Sequence, residues 1–67
     1  MKGFIEVTSR LTGLRILFPI DIIKVVEDDG NGKSSIEVGG DGVGGTVMYR
    51  VKENYDQIVD KIILATG

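Results

Sequence analysis

The C-terminal segment constrains this chain most, because there an extended stretch hands over directly to an amphipathic helix. Tyr55, Ile58, Val59, Ile62 and Ile63 fall at i, i+3, i+4, i+7 and i+8, which makes one apolar stripe. Asn54 stands just before them and Gln57 three residues later, the capping-box spacing that satisfies orphan N–H groups at a helix start. This predicts a helix over about 54–65, with its regular part from Tyr55 to Leu64. Everything upstream reads as short strands. The apolar face of the helix must therefore cover a tiny barrel, its own or a neighbour's.

The upstream strands follow from alternation. Phe4 to Arg10 places Ile5 and Val7 on one face with Glu6 and Thr8 on the other. Leu11-Thr12-Gly13 predicts a tight turn, and Leu14 to Phe18 a second strand that Pro19 ends or confines to an edge. Pro19-Ile20-Asp21 reads as a short turn that re-aims the chain into a third strand, Ile22 to Glu27. Asp28-Asp29-Gly30-Asn31-Gly32 is a strong hairpin signal, followed by a fourth strand from Lys33 to Val38 with Ile36 and Val38 inward. After the glycine-rich loop 39–45, Thr46 to Lys52 predicts a fifth strand. It shows Val47, Tyr49 and Val51 on one face and Met48 and Arg50 on the other. Five short strands with Gly-rich turns predict a mainly β domain over 1–67, a small closed or partly open barrel with one C-terminal α-helix.

Length and composition narrow how such a fold holds together. A chain of 67 residues makes one domain and buries only about 60% of the surface its unfolded form exposes. Small folds recruit disulfides, metals or partner subunits. The chain has no cysteine and no histidine, which excludes disulfides, thiolate zinc sites, iron–sulfur clusters and imidazole ligation together. Self-association is the device left, and the 42% apolar content supports it. The net charge of −2 is not the footprint of a nonspecific nucleic-acid binder. No apolar run approaches the ~20 residues that span a bilayer, and Glu6 interrupts any apolar stretch a signal peptide would need. The expectation is a soluble, cytoplasmic protein with no membrane partner.

Catalytic and cofactor motifs fail on their own physics. Gly40, Gly42 and Gly45 match the spacing of a dinucleotide fingerprint, but a strand follows where the fingerprint needs a helix N-terminus. Gly32-Lys33-Ser34 resembles the end of a phosphate loop, yet Glu27 stands where its leading glycine belongs. A calcium loop starting at Asp29 would need an acidic twelfth residue and meets Gly40. Asp21, between apolar neighbours, reads as a turn residue. With no nucleophile–base pair the expectation is a non-enzyme, with no catalytic residue, metal or other cofactor.

Binding is the remaining class. Arg10, Arg15, Lys33, Arg50 and Lys52 supply cations, and Phe18 and Tyr49 supply aromatic surfaces of the kind that hold single-stranded nucleic acid. A ring repeats each loop residue around one axis, so Asn31 and Lys33 would become a circle of donors. Asn31, Lys33, Tyr49 and Arg50 are therefore the candidate nucleic-acid-binding residues.

Five short strands with a Gly-rich hairpin resemble the Sm-like barrels of the Sm, LSm and Hfq class, especially small divergent members from phages. The resemblance covers nearly the whole chain and is architectural. The segment Leu14 to Asp28 lacks the glycine and Asp–Asn pairing of the Sm motifs, no Ile-Arg-Gly occurs near Arg50, and the helix follows the barrel rather than preceding it. The resemblance implies a ring of five to seven subunits paired through strand edges, with single-stranded RNA as a ligand. A more local similarity links Val51-Lys52-Glu53-Asn54-Tyr55-Asp56-Gln57-Ile58-Val59-Asp60-Lys61-Ile62 to the C-terminal part of small FlbD-type proteins associated with flagella. It implies a protein-interaction or scaffold element that docks a partner through its C-terminal helix.

Overall fold

Asn31 and Gly32 set the geometry of the central hairpin, with φ of 57° and 72°. Two successive left-handed residues make the mirror-image turn whose twist matches paired strands, and Asn and Gly enter that region at least cost. The computed structural model describes residues 3–39 and 45–67; the loop expected at 39–45 falls largely outside them, as does most of the Gly40–Gly42–Gly45 spacing. The elements run β1 (Phe4–Thr8), β2 (Arg15–Pro19), a 3₁₀ turn (Ile20–Ile22), β3 (Ile23–Gly30), β4 (Lys33–Gly39), β5 (Thr46–Val51) and α1 (Tyr55–Thr66).

The strands form two antiparallel sheets, β1-β2 and β3-β4-β5. A single bridge between Ser9 and Val51 ties them, flanked by Arg10 N–H donating to the Arg50 carbonyl and Lys52 N–H donating to the Thr8 carbonyl. Of the expected closed or partly open barrel, the described residues show two sheets joined around this bridge and no closed barrel. The reason lies at Arg10: the first strand, expected to reach it, ends at Thr8 because the chain turns there, with Gly13 N–H bonded to the Ser9 carbonyl and Gly13 at φ 75°. β3 runs three residues further than its predicted end at Glu27 because the two-residue turn lets pairing continue to Gly30↔Lys33, past an irregularity between Asp28 and Gly30.

The core is Ile5, Val7, Phe18, Ile36, Val38, Val51 and Ile58. β4 is the middle strand, and it is buried from Ser34 through Val38 except at half-buried Glu37. On β5 burial falls away from the bridge: Val51 is fully buried, Tyr49 half-buried, and Val47 55% exposed. These three share a face, so the gradient shows where β1 stops covering it. Helix α1 carries the predicted capping box, with Asn54 Oδ1 accepting from Gln57 N–H at 2.8 Å and Gln57 Oε1 accepting from Asn54 N–H at 2.9 Å. Ile58, with half-buried Ile62 and Ala65, turns onto β1 and β3 of the same chain, whereas Tyr55 and Ile63 of the predicted stripe stay exposed. At the other end, a Cβ on Gly3 would lie 2.8 Å from the Ala65 carbonyl oxygen, so glycine lets the last helical turn rest on the start of β1.

Candidate functional site

Asn31 and Lys33 sit together at the tip of the β3–β4 hairpin, both exposed. Arg50 lies on the outer face of β5, in register with Ser35 on β4. Tyr49 points the other way, inward, with its ring edge-on to Phe18 at a centroid distance of 5.0 Å. The four candidate residues therefore divide into a tip pair and two residues of β5 on opposite faces.

Between them stands a polar network that the sequence did not reveal. Asp29, at the irregularity in β3, folds its carboxylate over the sheet. Oδ2 accepts from Ser35 Oγ at 2.6 Å and from Arg10 Nη2 at 2.9 Å, and Arg50 Nη1 approaches to 3.7 Å. The Ser35 hydrogen bond, then the Arg10 guanidinium, hold the Asp29 carboxyl below its ordinary value. Arg10 also donates from Nη2 to the Ser34 carbonyl at 2.7 Å and from Nε to the Val51 carbonyl at 3.2 Å. One side chain from the end of β1 thus grips all three strands of the other sheet. Beside it, Glu53 accepts from Thr8 N–H at 2.8 Å and from the Thr8 hydroxyl at 3.0 Å, while its carbonyl accepts from Ser34 Oγ at 2.6 Å. Both buried serines are satisfied, and among the described residues no buried side-chain polar atom lacks a partner. Arg10, a candidate for phosphate binding by composition alone, works as a suture.

Beyond that suture β5 and the β1–β2 turn diverge, leaving a groove of ≈ 720 Å³. Leu11, Leu14, Ile16, Met48 and Tyr49 give it an apolar lining, and Arg15 and Arg50 are the charged residues that border it among the described residues. Leu11, at 92% exposure, and Leu14 and Met48 are open to solvent. Arg50 N–H and C=O face the β1 side of β5, so strand alternation turns those of Met48 the same way, past the point where β1 ends. Tyr49 and Arg50, half of the predicted site, thus meet at this groove together with Arg15. A signal for it existed in the sequence: Leu11 and Leu14 are apolar residues flanking a turn, where polar residues are the rule.

A second, shallower depression of ≈ 330 Å³ lies between the start of β1 and the end of α1, bordered by Phe4, Glu6, Lys61 and Leu64. Among the described residues no group of three or more acidic side chains could hold a metal ion, and no helix is long and apolar enough to cross a membrane. No protein-family model matches the chain, and no curated protein or solved structure matches it.

Proposed function

We propose that the chain is a non-enzymatic self-assembling module of the Sm-like kind, a ring of five to seven copies. The observation that carries the reading is the unfinished edge of β5: from Thr46 to Tyr49 it runs on without β1, beside an apolar groove. An open edge with exposed apolar neighbours pairs with another chain unless something covers it. The two sheets, bridged at Ser9–Val51 and joined through the 3₁₀ turn between β2 and β3, curl towards a barrel that Phe18 and Tyr49 fill from opposite sides. In such a ring the Asn31–Lys33 tips repeat around the axis as a rim for single-stranded RNA. Native mass spectrometry tests the assembly, with five to seven subunits expected and a monomer refuting it. A mobility shift with U-rich and A-rich oligonucleotides tests the ligand, and no shift with either refutes it.

One observation favours a second reading, docking of a different protein through the helix as in FlbD-type proteins. Ile63 and Leu64 on α1 are exposed, beside exposed Phe4. Capture of a partner by the wild type but not by Leu64→Glu, with a monomeric wild type, would establish this reading instead.

A further inference from the structure

We infer that the outer face of α1 in one copy fills the β5 groove of the next, joining subunits head to tail; this rests on the self-assembly reading above. Asp56, Asp60 and Leu64 follow one another at i, i+4 and i+8, so they share a face of the helix, with Ile63 beside them. All four are exposed, and Leu64 stands 81% clear. That face is acidic at its N-terminal half and apolar at its C-terminal half. The groove presents the complement: leucines, Ile16 and Met48 between two arginines, with no carboxylate in its lining. Among the described residues, the ion pairs of Arg15 and Arg50 are loose ones, to Glu6 at 3.6 Å and Asp29 at 3.7 Å, and both arginine side chains are more than half exposed. Exposed pairs of that kind exchange readily for better ones.

The two surfaces cannot meet within one copy. Leu64 lies at the start of β1, against Phe4 and Glu6, whereas the groove opens at the other end, at Ser9 and Thr12. Phe4 to Ser9 is an extended stretch of about 17 Å at ~3.3 Å per residue. Pairing groove to groove would place four arginines together, which disfavours a contact between like surfaces. Helix into groove is a contact between unlike surfaces, and such contacts propagate and close into rings.

The test uses the full chain as wild type, Arg15→Glu, Asp60→Arg and the double variant, with native mass spectrometry and light scattering at matched concentration. Each single substitution is expected to weaken assembly at least tenfold in concentration, and the double variant to recover most of it. Leu64→Glu, at a site too exposed to affect folding, is expected to give monomers and serves if a charge variant misfolds by circular dichroism. A monomeric wild type overturns both this interface and the self-assembly reading. Assembly that survives Arg15→Glu and Leu64→Glu overturns the interface alone, as does loss without recovery in the double variant. Intact assembly with a lost RNA shift in Arg15→Glu assigns the groove to nucleic acid and likewise overturns it.

Discussion

Replacing Ile58 with alanine tests whether the helix is a lid on its own chain. Ile58 is the one fully buried residue of α1, at 0% exposure, and it packs into the cluster with Ile5, Val7, Ile36 and Val51. The substitution removes three carbons, and at about 0.8 kcal/mol each the transfer loss is about 2.4 kcal/mol. A residual cavity of roughly 60 Å³ at about 24 cal/mol per Å³ adds about 1.4 kcal/mol. The sum, about 4 kcal/mol, falls towards 2.5 if the helix settles inward. At about 2.1 cal/mol/K per residue, the unfolding entropy of a chain this size makes each kcal/mol worth about 7 °C. Thermal unfolding followed by circular dichroism should therefore show Tm lowered by roughly 17–28 °C. Ile63→Ala is the control: the same chemistry on the same helix, but at a residue 59% exposed. In dilute solution it should cost under about 0.5 kcal/mol. If the proposed interface forms, its effect should grow at high protein concentration, because Ile63 is on the helix face assigned to that contact and assembly adds to apparent stability. Equal losses for the two variants in dilute solution would refute the argument, since the helix would then not present the face assigned to it.

Acid should loosen the suture at Asp29. Its carboxyl is held down in the folded state, by Ser35 first and Arg10 next, so its contribution is complete above the ordinary value of 3.8 and is lost as pH falls below it. Urea midpoints between pH 6 and pH 2 should show a drop that Ser35→Ala reduces; an identical acid profile in the variant would contradict the assignment. Arg10→Met, which unties Val51, Ser34 and Asp29 together, should lower Tm by at least 10 °C, and Arg10→Lys should recover less than half of that, since a point charge lacks the guanidinium's fork. Asn54→Ala should cost about 1 kcal/mol by urea unfolding, with Gln57→Ala adding little on top because the two bonds form one reciprocal cap. At the hairpin tip, Asn31→Gly should leave stability within about 0.5 kcal/mol while Asn31→Val costs about 1–2 kcal/mol, because only the second strains a φ of 57°. Asn31→Gly therefore isolates the side chain's part in any RNA shift.

Much of the secondary structure was legible because it rests on local rules. Period-two alternation marked the first, fourth and fifth strands, Asn31-Gly32 marked the hairpin, and Asn54 with Gln57 marked the helix start within a residue. The ends were less legible. β1 stops at Thr8 rather than Arg10 because the chain turns from Ser9, and α1 continues past Leu64 to Thr66, where Gly67 N–H caps the Ile63 carbonyl. Of the four candidate residues, Asn31 and Lys33 flank Gly32 at the hairpin tip, a local placement, whereas Tyr49 and Arg50 border a groove that only the tertiary structure forms. Composition marks Arg10 and Arg15 alike as cations, and only contacts across the chain separate the one that joins the sheets from the one that borders the groove.

What the sequence by itself determined is a mainly β unit with a terminal helix and no thiol or imidazole chemistry, since these depend on residue type and near neighbours. What the tertiary structure decided is which groups face each other across long stretches of chain. Thr8 meets Glu53, Arg10 meets Asp29 and Ser34, and Ile58 lies among strand residues far from it in sequence. No local spacing encodes those meetings, because they follow from where β1 runs out against β5. That one early ending leaves the groove open beside β5.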